Sequence, residues 1–317
     1  MLDFIVPHYN EPWSVGKPFF DMLAMQKGID FDDIRVLLIH DGSDMFPEKT
    51  FNKYPYKVEQ HRIAHKGVSA ARNFGIDLAT AKWVSFCDFD DSYTDIYALK
   101  MILDLLETDD YDMLWNPIYM EDMRNGRLVI YPLLKFNMIF VHNKYIRLDY
   151  LIEKGLRFNE DLAYSEDSAF LAILNVMLDH KRIGAIRSPA PLYTWAYRAG
   201  SCTTSEKNKL RNVQHLFNGN RYIAKSFEDI GYEDATLMKF RAVCDAYYAL
   251  TSSDAPANCE DLKKQVANFW TANKSEIGKC DKVKLQKVMK SSHRNVDWKK
   301  GVKRPSLSEW LKQICSE

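Results

Sequence analysis

Three carboxylates follow a short apolar segment in the first third of the chain. Residues 83–86 have the pattern of a buried strand, and Asp88, Asp90 and Asp91 come soon after them. Like charges this close raise each other's proton affinity, so such a group usually needs a cation or hydrogen-bond donors. Mg²⁺ and Mn²⁺ prefer oxygen ligands and often keep phosphate oxygens in their shell. The segment therefore indicates a metal and phosphate site, with a solvated acidic turn as the alternative.

Two further apolar segments, at residues 2–6 and 35–39, and a third predicted strand near 56–60 also lead into polar loops. In an open parallel sheet the carboxyl ends of the strands face one crevice, where ligands bind. The spacing suits a nucleotide diphosphate in that crevice. The loops after the three segments contain His8 to Glu11, His40 to Ser43 and His65 to Gly75.

Five motifs carry a resemblance to a known family. They are Val6 to Asn10, His40 to Ser43, Gly67 to Gly75, Asp88 to Asp91 and Ser165 to Asp167. In order and rough spacing they resemble family 2 glycosyltransferases of the GT-A fold, over roughly the first two thirds of the chain. The resemblance implies an α/β fold, Rossmann-like, with a mostly parallel central sheet flanked by helices and a helical C-terminal region. It also implies an inverting, metal-dependent transfer of sugar from a nucleotide-diphosphate sugar, expected to be a UDP-sugar.

The resemblance assigns the first two loops to the nucleotide base. Pro7, Tyr9 and Glu11 resemble the loop that packs around the base, and Asp41 resembles the carboxylate that accepts a hydrogen bond from a uracil ring N–H. Core packing explains an aromatic residue such as Tyr9 equally well, and a turn acid would explain Asp41.

The acidic cluster and two basic residues are assigned to the diphosphate. Asp88 and Asp90 resemble the Asp-x-Asp motif, the first near the ribose or the metal waters and the second a direct ligand of Mn²⁺ or Mg²⁺. Lys66 and Arg72 lie where a basic side chain approaches the diphosphate or the base. Such a metal would stabilise the negative charge that develops on the leaving diphosphate. A solvated helix face is the alternative for Arg72.

A later segment resembles the family's lid. Arg198 and Ser201 correspond to an Arg and a Ser that close over the diphosphate, and Gly200 permits a flexible turn between them. A plain exit from a strand into a loop explains this segment as well.

The acceptor side is assigned to a second pair of acids. Asp167 resembles the general base that takes the proton of the acceptor hydroxyl, with Glu166 beside it as a second catalytic acid. Both would also suit the first turn of a helix that Ser165 caps. His142 falls near the acceptor side, although a lone histidine is more often structural.

One position departs from the family pattern. His40 stands where many members carry a further Asp before the residue equivalent to Asp41. A neutral imidazole still donates or accepts one hydrogen bond. We therefore expect the nucleotide pocket to persist with altered base contacts.

The length of 317 residues suffices for a catalytic domain and an appendage. We predict the catalytic domain at residues 1–204 and a helical region at 205–317, where apolar residues recur at helical spacing. Within the first part, residues 137–142 are predicted as a strand and residues 144–154 as a helix.

The charge is unevenly distributed although acidic and basic residues are equal in number, at 43 each. From position 251 onward there are 14 basic and 8 acidic residues, so the tail is basic from about residue 257. Such a surface suits an anionic polymer, an anionic membrane face or nucleic acid. Solvated helix faces explain Lys-rich tails more often.

The six cysteines include no Cys-x-x-Cys pair, which argues against a zinc site and a disulfide framework. Neither a signal-peptide pattern nor an apolar run of about 20 residues is present. We expect a cytoplasmic enzyme, at most peripheral at the inner membrane face.

The expected partners are a nucleotide-sugar donor and an acceptor hydroxyl of a glycan, a phosphate-containing polymer or another cell-surface polymer. The alternatives are glycosylation of modified nucleobases in DNA, a nucleotidyltransferase and a noncatalytic module that binds nucleotide sugars. Nucleic acid as a partner is not favoured.

Overall fold

The computed structural model describes residues 1–108, 110–178, 180–198, 209–252, 255–256, 258–293 and 304–316. The chain divides into two units, Met1–Arg198 and Ala199–Glu317. The first is mixed α/β and the second is helical, which confirms the expected fold class. The predicted boundary between residues 204 and 205 lies outside the described residues, and the placing of catalysis in the first part stays a prediction.

The first unit contains two sheets. The larger sheet has the strand order β10-β6-β9-β4-β1-β2-β3, and the smaller has the order β5-β11-β7-β8. The strands are β1 (Leu2–His8), β2 (Ile34–Asp41), β3 (Lys57–Ile63), β4 (Trp83–Phe86), β5 (Ser92–Tyr93), β6 (Met113–Trp115), β7 (Ile118–Arg124), β8 (Arg127–Leu133), β9 (Lys144–Arg147), β10 (Ile183–Ala185) and β11 (Tyr193–Trp195).

The helices of the first unit flank the larger sheet, and a separate set of helices forms the second unit. Those of the first unit are α1 (Trp13–Ala24), α2 (Val68–Leu78), α3 (Ala98–Leu106), α4 (Leu148–Glu153) and α5 (Glu166–Met177), with 3-10 turns at Phe31–Asp33, Glu48–Thr50 and His180–Arg182. Those described in the second unit are α6 (Lys209–Asp229), α7 (Ala235–Leu250), α8 (Glu260–Ile277), α9 (Lys282–His293) and α10 (Leu307–Ile314).

The order of the central strands determines where a ligand can bind. β1, β2 and β3 lie side by side and parallel, and β4 then returns to the other side of β1, also parallel. Consecutive residues of β1 such as Phe4, Ile5 and Val6 are fully buried, as in a strand covered on both faces. The order reverses between β1 and β4, and the crevice at their carboxyl ends is the expected ligand site of such a sheet.

A close approach of α2 to β1 depends on a glycine. A Cβ at Gly75 would lie 2.3 Å from Cγ2 of Ile5, well inside van der Waals distance. Gly75 therefore lets α2 lie against the centre of the sheet, which brings the start of this helix to the carboxyl ends of the strands.

Two sequence predictions between the acidic cluster and α5 are wrong. Residues 137–142 form turns and irregular backbone, and the strand lies later, at Lys144–Arg147. The helix predicted at residues 144–154 is confined to Leu148–Glu153. The strand β9 pairs antiparallel with both β4 and β6, and this pairing outweighs the local pattern.

The second unit has its own apolar core, as the spacing of its apolar residues predicted. Phe217, Val243, Tyr247 and Trp310 are buried in it. Ser306 begins α10 with a capping box, in which its side chain accepts from the backbone N–H of Glu309 and the Glu309 carboxylate accepts from the Ser306 N–H.

Among the residues that the structure describes, no helix combines the length and apolar character needed to cross a membrane. Five of the six cysteines are described, and all five carry free thiols.

Candidate active site

The loops after β1 and β3 bring two rings together at the edge of the crevice. The ring of Tyr9 stacks on that of His65, with centroids 4.1 Å apart and planes 11° apart. Tyr9 keeps 47% of its surface exposed, so core packing does not explain it. The backbone N–H of Asn10 donates to Oγ of Ser43 at 2.7 Å, which joins this loop to the one after β2.

Asp41, the last residue of β2, organises the loop that opens α2. Its Oδ1 accepts from the backbone N–H of Lys66 at 2.8 Å, and its Oδ2 accepts from that of Gly67 at 2.9 Å. His65 Nδ1 lies 2.8 Å from the same Oδ2. Asp41 therefore supports the turn before α2, and its Oδ1 retains a lone pair for a further donor.

Arg72 is buried at the centre of the acidic residues. Its guanidinium is 3% exposed and donates through Nη2 to Asp88 Oδ1 at 3.1 Å. Through Nη1 it donates to Asp167 Oδ1 at 2.5 Å and to Glu166 Oε1 at 3.2 Å. Burial lowers the pKa of this guanidinium, but Asp167 and Asp88 outweigh burial and raise it overall. Arg72 is thus a permanent cation. It contacts both Asp88, of the predicted Asp-x-Asp motif, and Asp167, the predicted general base.

Asp167 lies in the first turn of α5 with both carboxylate oxygens engaged. Oδ2 accepts from the backbone N–H of Val141 at 3.0 Å, while Oδ1 faces Arg72. Burial raises the pKa of Asp167 to about 7, and the acids Glu166 and Asp88 add to this effect against the opposing charge of Arg72. A carboxylate with a pKa near neutrality suits a general base.

The turn before α5 differs from the cap that the sequence suggested. Ser165 occupies the N-cap position in the left-handed conformation, with φ of 66°, and its side chain does not cap the helix. Glu166 and Asp167, the first two residues of α5, both contact the Arg72 guanidinium.

A second group of buried side chains lies beside Asp88. Asp88 Oδ2 is 3.8 Å from Nδ1 of His142, and Asp91 Oδ2 is 4.0 Å from the same nitrogen. The ring of His142 is held between those of Phe140 and Tyr193, at centroid distances of 5.2 and 5.6 Å. Burial lowers the pKa of His142 to about 3, so the ring is neutral and keeps a lone pair.

These three side chains fit a divalent cation. Within the described parts of the chain, Asp91 Oδ2 and both ring nitrogens of His142 are buried without a hydrogen-bond partner. One ligand atom each from Asp88, Asp91 and His142 lies within 4.8 Å of the others. Two carboxylates and a neutral imidazole that converge with buried atoms left unpaired suit a metal such as Mn²⁺.

Asp90 points to a different partner. Its Oδ2 is 2.8 Å from Nε of Arg198, and Arg198 Nη2 donates to Glu11 Oε1 at 3.0 Å. Burial raises the pKa of Asp90, as does the nearby charge of Asp88, against the opposing effect of Arg198. The Arg198 guanidinium, in the predicted lid, therefore contacts both Glu11, in the loop after β1, and Asp90, in the acidic cluster. The assignment of Asp90 as a metal ligand stays a prediction.

The phenyl ring between the two acids of the Asp-x-Asp motif is fixed by a glycine. A Cβ at Gly16 would lie 2.2 Å from the tip of the Phe89 ring, so this ring fits only against a residue without a side chain. Phe89 also contacts the rings of His8 and Phe46. The acidic loop therefore has a rigid attachment to α1.

The remaining predicted residues are placed as follows. Pro7 is half-buried within β1, and the exposed Lys66 lies in the turn before α2 with its backbone N–H on Asp41. Ser201 lies outside the described residues.

Sequence reasoning missed Lys144. Burial lowers the pKa of Lys144 to about 7, although the charge of Asp167 opposes this effect. No sequence pattern distinguishes this lysine from a surface one.

Variants of Asp91 and His142 test the candidate metal site. We expect Asp91→Asn and His142→Gln each to lower Mn²⁺ affinity at least about tenfold, because outer-shell partners of a metal alone contribute about 10- to 100-fold. Calorimetric titration of the purified protein with Mn²⁺ measures this. The exposed acid Asp44 supplies the control variant Asp44→Asn, which should bind as the wild type does. If Asp90→Asn weakens binding and Asp91→Asn does not, the sequence-based choice of Asp90 is the correct one.

Comparison with known proteins identifies the family of this chain. A model of the family described as "Glycosyl transferase family 2" matches residues 3–163, just over half of the chain. This chain belongs to the family 2 glycosyltransferases, and the resemblance read from its motifs is confirmed.

Curated relatives match more than half of the chain. The minor teichoic acid biosynthesis protein GgaA of Bacillus subtilis is 27% identical over 206 residues, which cover 59% of this chain and 45% of that protein. The uncharacterized glycosyltransferase EpsJ of the same organism is 25% identical over 194 residues, or 54% of each chain. The chain spans about half the length of these relatives.

Solved structures share the fold over nearly the whole chain. Residues 1–349 of TarS from S. aureus, in complex with UDP, match with a TM-score of 0.51 and 18% identity over 96% of this chain and 98% of that one. The mannosyltransferase PcManGT from Pyrobaculum calidifontis, in complex with GDP-Man and Mn²⁺, matches with a TM-score of 0.52 and 14% identity over 93% and 86%. At these identities the likeness establishes the GT-A architecture.

Proposed function

We propose that this protein transfers a sugar from a nucleotide-diphosphate sugar to an acceptor hydroxyl of a cell-surface polymer, with inversion at the anomeric carbon. The observation that carries the proposal is the position of Arg72. One buried guanidinium donates both to Asp88, in the acidic cluster, and to Asp167, at the start of α5. A donor diphosphate at the first acid and an acceptor hydroxyl at the second would therefore meet in one crevice.

On the donor side, Asp88, Asp91 and His142 would hold Mn²⁺ or Mg²⁺. When bound, the cation supplies positive charge that stabilises the leaving diphosphate. Arg198 contributes a second positive charge at the same end of the crevice, where it now pairs with Asp90 and Glu11. A guanidinium suits the bidentate recognition of phosphate oxygens.

On the acceptor side, Asp167 takes the proton of the attacking hydroxyl. Its hydrogen bond from Val141 and its contact with Arg72 fix the carboxylate in place, so one oxygen lone pair has a defined direction. The hydroxyl oxygen then attacks the anomeric carbon from the face opposite the leaving group. This direct displacement inverts the configuration and needs no covalent enzyme intermediate.

The base of the donor would lie by Tyr9 and Asp41. The exposed ring of Tyr9 offers a stacking surface, and Asp41 Oδ1 has capacity for one ring N–H. A uracil ring carries such an N–H, and a structure of TarS is described with UDP-GlcNAc. A guanine ring carries one as well, so we propose UDP as the favoured nucleotide and GDP as its competitor.

The acceptor is proposed from charge and from the relatives. GgaA and GgaB of Bacillus subtilis are both named as minor teichoic acid biosynthesis proteins. The surplus of basic residues beyond position 251 would attract a polymer that carries phosphate groups. We propose a teichoic-acid-like polymer as the acceptor class, acted on at the cytoplasmic side of the membrane.

Nucleotide binding provides the first test. We expect UDP with Mn²⁺ to stabilise the folded protein by about 2.7 kcal/mol at a concentration 100 times its Kd, because it binds the native state alone. Thermal unfolding with UDP, GDP and CDP measures the effect, and CDP is the matched control because its ring lacks an imide N–H. A protein that none of these nucleotides stabilises would contradict the proposal.

Product analysis separates the enzyme classes. Incubation with UDP-sugars should release UDP, whereas a nucleotidyltransferase would release pyrophosphate from a nucleoside triphosphate. Transfer to a modified nucleobase in DNA, and not to a polymer extract, would favour the nucleic-acid alternative. Tight donor binding without any release of UDP would identify a noncatalytic module.

A further inference from the structure

Two buried histidines meet at the ends of β1 and β2, next to the proposed base site. His8 and His40 are paired in the register of the two strands and are 3% and 0% exposed. Their Nδ1 atoms lie 2.9 Å apart, and their rings cross at 80°. A contact this short between two ring nitrogens requires one proton between them.

The proton on the far side of His40 is fixed by an amide. His40 Nε2 lies 3.0 Å from Gln60 Oε1. The same Oε1 accepts from the backbone N–H of Phe46, and the Gln60 amide nitrogen donates to the Phe46 carbonyl, so the amide orientation is determined. An oxygen therefore faces His40, and Nε2 of His40 must carry a proton.

The proton on the far side of His8 is fixed by the backbone. Its Nε2 lies 2.8 Å from the carbonyl oxygen of Glu11. A carbonyl oxygen accepts only, so Nε2 of His8 must carry a proton as well.

The count of protons exceeds what two neutral rings hold. Three contacts need a proton each: Gln60 with His40, His40 with His8, and His8 with the Glu11 carbonyl. Two neutral imidazoles carry two protons in total. Without the third, two lone pairs would face each other at 2.9 Å, or a nitrogen lone pair would face either the Glu11 carbonyl oxygen at 2.8 Å or Gln60 Oε1 at 3.0 Å. The pair is therefore fully hydrogen-bonded only with a net charge of +1.

The surroundings place the charge on His8. Burial lowers the pKa of His40 to about 4, and a charge on His8 lowers it further, as does Arg62 on β3. The Glu11 carboxylate lies 4.0 Å from Nε2 of His8 and provides the opposite charge. The next ionisable group along β2, Asp41, is committed to His65 and to the turn before α2. The other neighbours, Phe46 and Phe89, contribute aromatic rings.

We propose that His8 is a buried imidazolium whose Nδ1 donates to neutral His40, and that this extra proton positions the loop from Tyr9 to Glu11 for the donor nucleotide. The part that concerns nucleotide binding rests on the proposed function. His8 is a positioning residue, because it acts through Glu11.

Glu11 transmits the effect of this proton to the site. Its carbonyl accepts from His8, its Oε2 accepts from the backbone N–H of Tyr9 at 2.9 Å, and its Oε1 accepts from Arg198. Loss of the proton leaves one acceptor facing another, which loosens the loop. Because the charged form is the one that holds the loop, donor affinity should be lower at high pH than at low pH.

The charge state is tested on the free protein. Nitrogen-15 spectra of the histidine rings, assigned through their backbone resonances, report the protonation of each nitrogen. At pH 6.5 we expect His8 to be protonated on both nitrogens and His40 on Nε2 alone. Two neutral rings at this pH, in folded protein, would overturn the proposal. This result does not depend on any nucleotide binding.

The functional part is tested by the pH dependence of UDP affinity from pH 6 to 9 with Mn²⁺ present. The UDP affinity of the wild type should fall roughly tenfold more than that of His8→Gln as the pH rises, because the wild type loses a hydrogen bond to a charged group. His40→Asp places a carboxylate near the position of Nδ1, where it stabilises the charged form of His8. This variant should therefore keep the UDP affinity of the wild type and lose it only at a higher pH.

The matched control is His61→Gln, on β3, whose ring lies beside Glu59 and Phe74. It should bind UDP with the affinity and pH profile of the wild type. If His8→Gln keeps the wild-type profile, the pair does not position the loop. If UDP does not bind at all while His8 is seen as an imidazolium, the proposed function fails and the charge assignment holds.

Discussion

Asp167→Asn should lower kcat about 10²- to 10⁴-fold, the range typical of a positioned general base, and leave UDP affinity within about twofold. The amide keeps the shape of the side chain and can still accept the hydrogen bond from Val141. It cannot take a proton from an acceptor hydroxyl. The loss should therefore fall on the chemical step, measured as kcat at saturating donor and acceptor.

The pH profile gives an independent signature of the same base. Burial raises the pKa of Asp167 to about 7, and only the deprotonated form can act. The wild-type kcat should therefore rise with pH through about 7 and then level off. The residual kcat of Asp167→Asn should lack this rise.

Two neighbouring acids serve as controls. Asp161→Asn changes an exposed acid shortly before α5 and should leave kcat unchanged. Glu166→Gln removes a weaker contact with Arg72, 3.2 Å instead of 2.5 Å, and should reduce kcat less than Asp167→Asn does. Full activity of purified, folded Asp167→Asn would remove the base assignment, and a greater loss in Glu166→Gln would transfer the role to Glu166.

The elements that sequence predicted well are those whose signals are local. The strands near residues 2–6, 35–39 and 83–86 are apolar runs ended by turn residues, and a run of this kind suits a buried parallel strand. Their order along the chain then placed the polar loops at one edge of the sheet. The acids Asp88 and Asp167 were named for this reason and through the family resemblance.

The misplaced strand shows where local reasoning fails. Residues 138–141 are apolar and read as a strand, yet Met138 and Ile139 are 41% and 58% exposed. The true strand β9 contains Lys144 and Arg147, and it forms because β4 and β6 lie on either side of it. A sheet partner that is 60 residues away in sequence leaves no trace in a local pattern.

The same reason explains the site residues that were assigned incompletely. His142 precedes β9, and only the pairing of β9 with β4 brings it to Asp88 and Asp91. The burial of Arg72 likewise depends on the acids of α5, 94 and 95 positions later in the chain. His40 was recognised as unusual, but its partner His8 follows from the register of β1 and β2.

Arg72→Met should destabilise the first unit by about 3–5 kcal/mol at pH 8, measured by denaturant unfolding in the presence of a chelator. The methionine fills part of the volume but leaves Asp88, Glu166 and Asp167 close together without their cation. Arg157→Met is the matched control, because Arg157 is a partly exposed arginine that pairs with the exposed Asp77. A surface pair of this kind contributes about 0–1 kcal/mol.

Acid should rescue Arg72→Met in part. Without the guanidinium, the pKa of Asp167 rises further above its unfolded value, since the charge of Arg72 is the largest effect that opposes burial. A carboxyl group that binds its proton more tightly in the folded state favours folding as the pH falls. The stability gap between the wild type and Arg72→Met should therefore shrink between pH 8 and pH 5, while the gap for Arg157→Met should not. A gap for Arg72→Met that is no larger than the control, or that is independent of pH, would mean that the three acids do not depend on this cation.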